Sequence, residues 1–193
     1  FGSRRLSTFF CPSGQPADAG GSRGMCEVRV LAVTRRLARN FDGLFPERDL
    51  QREPHVIVTL ALQTKHRQTA MSAEMMDERQ ECFKVLVDRM AAFKEKYDAA
   101  GRWCDFIDPS TGAPFHSDSA TTLLECDERY RGLGFDILEL GCCRAVCNEK
   151  FGQCLVMTSA FVQATEDEVS GDLALLEADP AAAAPAASGE AAA

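Results

Sequence analysis

The chain has 193 residues, 46% hydrophobic and 26% charged, a balance that fits one globular domain with a single core. Its net charge of −8 is local: seven of the 29 acidic residues lie between Glu166 and Glu190, where no Lys or Arg occurs, so the remainder is nearly neutral. That balance excludes a basic face for nucleic acid or an anionic membrane surface, and no apolar run approaches the ~20 residues that span a bilayer.

Residues 1–25 are rich in Gly, Ser, Pro and Ala and read as a flexible leader. Its opening, FGSRRLSTFF, carries Arg4 and Arg5 and precedes any acid, which resembles the end of a mitochondrial transit peptide and equally a leader without an address. The domain begins near Met25. Alternation in CEVRVLAV predicts a strand over 26–33. Thr34 offers a hydroxyl cap for a helix over 35–43, with Leu37, Phe41 and Leu44 inward and Gly43 and Pro46 as the stop. After Pro54, HVIVTLALQT predicts a buried strand over 55–64. A basic turn at Lys65-His66-Arg67 then leads to a second strand over 68–75, paired back as a hairpin. Asp77 caps a long helix over 78–99. Its Phe83, Leu86, Val87, Met90, Phe93 and Tyr97 recur at three- and four-residue spacing, and Gly101 supplies a left-handed end.

RWCDFI (102–107) is a short strand running into the DPSTG turn. Thr122 to Arg131 reads as a short helix or ordered loop. Two further strands, 142–148 and 153–163, are joined by the NEKFG turn. Residues 166–193 form an acidic, Ala/Pro-rich tail, with one surface helix over 169–178 and otherwise no packed structure. The domain is therefore bounded at 26–165.

Nine cysteines, an odd number spread through a chain with a good apolar core, point to reduced intracellular thiols, many packing as small hydrophobes. Cys142, Cys143, Cys147 and Cys154 cluster in sequence. In a strand Cys143 and Cys147 would share a face about 13 Å apart, too far for one zinc ion. A vicinal Cys142–Cys143 disulfide would be strained. An exposed thiolate beside Gly141, soft enough for a polarisable metal delivered by something else, is the more attractive chemistry. His55, His66 and His116 show no ligand spacing. Asp105, Asp108 and Asp127 could do acid–base work, although Asp in such settings more often caps turns. No phosphate-cradling glycine loop, nucleophile elbow or dinucleotide fingerprint is present.

The stretch from Trp103 to Cys143 is the densest in unusual residues. WCDFIDPSTG, then TLLECDERYRGLGFDILELGCC, with FDGLFP (41–46) upstream, resembles the methylmalonic aciduria and homocystinuria type D family of cobalamin-trafficking proteins over residues 26–165. The resemblance implies an α+β fold: a nitroreductase/flavin-reductase-like mixed sheet with flanking helices, without bound flavin. It also implies a non-enzymatic adaptor, found in the cytoplasm and the mitochondrion. Such an adaptor binds the type C cobalamin-processing protein with its cobalamin and directs the cofactor to methionine synthase or methylmalonyl-CoA mutase. The cobalt-coordinating thiolate of the family falls on Cys142. Asp127, Tyr130, Leu140, Gly141 and Cys143 are implied to shape the presenting loop or the interface. Two departures stand out: the family's longer N-terminal region is scarcely represented, and Cys147, Cys154 and the acidic tail lie outside its pattern. A flavin-dependent reductase or a thiol-redox protein using Cys142 and Cys143 is the alternative.

Overall fold

In chain order the elements are β1 (Cys26–Ala32), α1 (Arg35–Arg39), β2 (Val56–Gln63), α2 (Ala73–Ala99), β3 (Cys104–Phe106), a 3-10 helix (Glu128–Leu133), β4 (Asp136–Glu139), β5 (Arg144–Cys147), β6 (Leu155–Val162), α3 (Glu166–Ser170) and α4 (Ala174–Glu177). The structure is a computed structural model that describes residues 25–141 and 143–177. β1, β2, β6 and β3 form a four-stranded sheet in that order, and β4 and β5 form a separate two-stranded ribbon.

β2 and β6 are apolar nearly throughout, and their residues are buried except Gln63 at the end of β2. Side chains alternate across a strand, so these two elements feed two cores. Val56, Val58, Leu60, Leu62, Val156, Ala160 and Val162 face one way, and α2 covers them with Phe83, Leu86, Met90, Phe93 and Tyr97. Ile57, Ala61, Leu155, Met157 and Phe161 face the other way, beneath Phe41, Leu44, Phe45, Tyr130, Phe135, Ile137 and Val146. The result is three layers: helices, sheet, and an irregular layer that includes the β4–β5 hairpin.

Every pairing in the sheet is antiparallel. The expected mixed sheet is thereby corrected. β2 and β3 do run in the same direction, joined through α2, but β6 returns between them, so no parallel neighbours touch.

Three further expectations change. Residues 68–75 form no strand; α2 begins at Ala73, because the Ser72 hydroxyl accepts the Met75 N–H (3.2 Å) and Met75 enters the core. Asp77 accordingly lies inside the helix. The strand after residue 142 does not pair with 153–163 across the NEKFG turn. β5 pairs instead with the unforeseen β4, from Asp136 opposite Cys147 to Glu139 opposite Arg144. Residues 166–177, assigned to the tail, become α3 and α4. Val169 and Leu176 are fully buried there, and the Arg89 guanidinium donates to the Leu176 carbonyl (2.7 Å). Gly101 does take the left-handed end of α2, at φ +69°. Among the described residues no helix is long and apolar enough to cross a membrane.

Candidate functional site

The aspartates of the central stretch are backbone acceptors. Asp105 is 1% exposed, and its carboxylate takes the N–H groups of Phe106 (2.8 Å), His116 (3.2 Å) and Ser117 (2.8 Å). It thus folds 115–118 back against β3. Asp108 accepts from the Ser110 N–H and hydroxyl, which hold its carboxyl below the usual range despite partial burial. Gly112 completes the turn at φ +72°, where an added Cβ would stand 2.9 Å from the Leu124 backbone nitrogen. Only glycine combines that dihedral with that approach.

The DERYR run is a brace. Asp127 caps the 3-10 helix through the Arg129 N–H (2.9 Å) and grips the Arg129 guanidinium at 2.8 Å through both oxygens. The Arg129 hydrogen bonds keep the Asp127 carboxyl below its usual range. Arg129 also reaches the Thr122 carbonyl. Tyr130 is buried in the irregular layer, its ring edge-on to Phe135 and its hydroxyl 3.4 Å from Ser159 of β6; burial pushes the phenol up. Arg131 joins the Glu128 carboxylate (2.5 Å) to the Ile137 carbonyl of β4 (2.5 Å). Arg144 of β5 meets Glu139 (3.2 Å) and lies 3.9 Å from Glu128. One chain of charges therefore ties the 3-10 helix to both strands of the hairpin.

The hairpin is rooted by Ile137 and Val146, each 2% exposed. Beyond Glu139 and Arg144 the chain turns: the Leu140 N–H donates to the Cys143 carbonyl (2.9 Å), and Gly141 sits at φ +83°. A positive φ at the first turn residue is what tight hairpins require. Leu140 is 42% exposed, and Gly141 and Cys143 are exposed as well. Cys142, on which the expected cobalt ligation rests, lies outside the described residues.

Of the expected site residues, Leu140, Gly141 and Cys143 thus gather at one hairpin end, while Asp127 and Tyr130 stand behind it in the brace. The arginines that complete the brace, Arg129, Arg131 and Arg144, were not singled out from sequence; the alternating charges of DERYR were the available signal. The other cysteines are not gathered there. Cys147 is buried on β5, and Cys104 is buried on β3, where desolvation pushes its thiol up. Burial and the neighbouring Glu78 and Glu81 push Cys82 up to about 11, so it stays protonated near neutrality. Among the described residues no three His, Cys, Asp or Glu side chains are grouped to hold a metal ion. Two surface grooves open on the described surface. One, of about 300 Å³, lies between Phe45, Arg48, Trp103 and His116; the other, of about 350 Å³, lies between Arg29, Arg131, Phe135 and Asn148.

A family model described as methylmalonic aciduria and homocystinuria type D protein matches residues 15–172. The chain is 37% identical over 152 residues to the cobalamin trafficking protein CblD of Rattus norvegicus, covering 76% of this chain and 51% of that protein. It is 36% identical over 142 residues to its namesake in Homo sapiens, covering 73% and 47%. To that of Gallus gallus it is 33% identical over 142 residues, again covering 73% and 47%. The chain spans about half the length of these relatives. With the match running from before β1 to beyond α3, this chain belongs to the methylmalonic aciduria and homocystinuria type D protein family.

Proposed function

We propose that the chain is a non-enzymatic cobalamin-trafficking adaptor. It docks on a type C cobalamin-processing protein and supplies the Cys142 thiolate to the cobalt of the cobalamin that this partner holds. Family membership over residues 15–172 carries the reading. The hairpin supports it, because the turn between Leu140 and Cys143 projects from a root fixed by two buried side chains and by the charges of Glu128, Arg131 and Arg144. A soft sulfur suits a cobalt centre, and coordination releases the thiol proton. The cargo would then pass toward methionine synthase in the cytoplasm or methylmalonyl-CoA mutase in the mitochondrion.

We read the three layers as a nitroreductase/flavin-reductase-like body working without flavin. A purified chain carrying a yellow flavin chromophore would reject that reading.

The deciding experiment titrates the chain into type C protein loaded with cob(II)alamin, followed by absorption and EPR. A new cobalt–sulfur signature is expected with the unaltered chain and with Cys143→Ala, and its loss with Cys142→Ala while the complex still forms. An identical spectrum from Cys142→Ala overturns the thiolate role.

A further inference from the structure

β1 is an edge strand, and its hydrogen-bonding direction can be read from its two flanks. Gln63 N–H donates to the Met25 carbonyl (2.9 Å) and Val33 N–H to the His55 carbonyl (2.8 Å), so odd-numbered residues bond to β2. The N–H and C=O groups of Cys26, Val28, Val30 and Ala32 therefore point away from the sheet. The ends of this edge are engaged: Lys150 Nζ meets the Cys26 carbonyl (3.1 Å), and the Ala32 N–H donates to Glu166 (2.8 Å). Between them, Val28 and Val30 present outward donors and acceptors that no described residue meets. Unpaired edges of this kind template another strand unless a protein blocks them.

We infer that the occupant of this edge is a second copy of the chain, paired antiparallel through β1 about a two-fold axis at Val28. The register follows from the charges. With the axis at Val28, Glu27 of each copy stands opposite Arg29 of the other, and Val30 opposite Cys26. An axis at Arg29 would oppose two arginines, which destabilises a cross-strand pair. An axis at Val30 would require the Ala32 N–H that Glu166 already holds. The favoured register uses the unmet groups of Val28 and Val30, and the Cys26 carbonyl keeps a second lone pair beside Lys150. Glu27 and Arg29 already pair within one copy (2.9 Å), so the interface extends an existing ion pair into an alternating ladder. The same residue pattern on both sides is what a two-fold, self-complementary interface needs. The two sheets become one continuous sheet, with the hairpins on the same side as Glu27 and Arg29.

Sedimentation equilibrium of the chain across a concentration series tests this. A reversible dimer is expected. Val28→Pro removes an outward N–H and trims a side chain packed at the margin of the helix-face core, but spares the β1–β2 ladder, and is expected to weaken dimerisation at least about tenfold without changing the circular dichroism. Glu27→Arg and Arg29→Glu are each expected to weaken it, and the double swap to restore it. If Val28→Pro does not fold, the charge series decides alone. A chain that stays monomeric throughout overturns the inference and leaves the edge to a strand of another protein. A dimer indifferent to these variants overturns it as well.

Discussion

The two faces of the sheet are built by different means. On the helix face, one 27-residue helix with periodic apolar side chains covers the strands, and α3 and α4 finish the layer. On the opposite face the cover is mostly turns, and their shape is held by buried or half-buried carboxylates accepting backbone N–H groups, with arginines bridging carbonyls. A helix satisfies its own backbone; an irregular layer must borrow side chains for that purpose. The motif residues therefore concentrate where regular structure is absent, and the β4–β5 hairpin grows from that face.

Substitutions can break this contrast in order of size. Phe161→Ala empties a site under the irregular face, where the ring meets Phe41 (5.1 Å) and Phe45 (4.9 Å), and should cost about 3–5 kcal/mol in urea unfolding. Phe93→Ala, on the helix face, should cost a similar amount, since apolar burial is indifferent to which layer supplies it. Asp105→Asn separates the faces. An amide offers one oxygen and two unwanted donors to three backbone N–H groups, so a loss of about 2–3 kcal/mol is expected. Hydrogen exchange should quicken at 113–118 well before α2. Gly112→Ala should cost about 1–3 kcal/mol, because both the dihedral and the contact with Leu124 resist it.

The smallest effect concerns pH. Arg102 and the Thr165 backbone hold the exposed Glu168 carboxyl at about 2, against about 4.3 when unfolded. A depressed folded value means the stabilisation is present above the unfolded value and is lost as pH falls toward about 2. Asp127, on the other face, shifts in the same direction, chiefly through Arg129. Site-resolved NMR titration should find both carboxyls low, and Arg129→Gln should return Asp127 alone toward its usual range.

The elements that can be read from sequence are those whose burial is either periodic or continuous. β1 announces itself by alternation, β2 and β6 by continuous apolar runs and α2 by three- and four-residue spacing, and Thr34 and Gly101 cap as expected. A strand over 68–75 does not form because Ser72, three residues before the buried Met75, caps α2 instead. β4 carries little sequence signal because only Ile137 of its four residues is buried. For β5, closeness in sequence favours a hairpin across Asn148 to Gly152, whereas packing sends β6 to the other sheet. The brace behind the hairpin is visible in sequence as the charged motif DERYR, but its mechanics are not. That Asp105 and Asp127 serve as acceptors, and that Arg131 spans two elements, depends on contacts no spacing reveals.

The position of β6 has a consequence for how the chain acquires its fold during synthesis. β2 and β3 lie on either side of β6 and cannot complete the sheet without it: Val56 has Ala32 on one side early, but Val162 on its other side only at the end of β6. Both cores therefore stay open until nearly the whole described chain has left the ribosome. Such long-range pairing slows folding and exposes apolar strands to aggregation in the interval. A nascent chain halted before Leu155 would display the apolar length of β2 with only β1 beside it, a species that chaperones should retain.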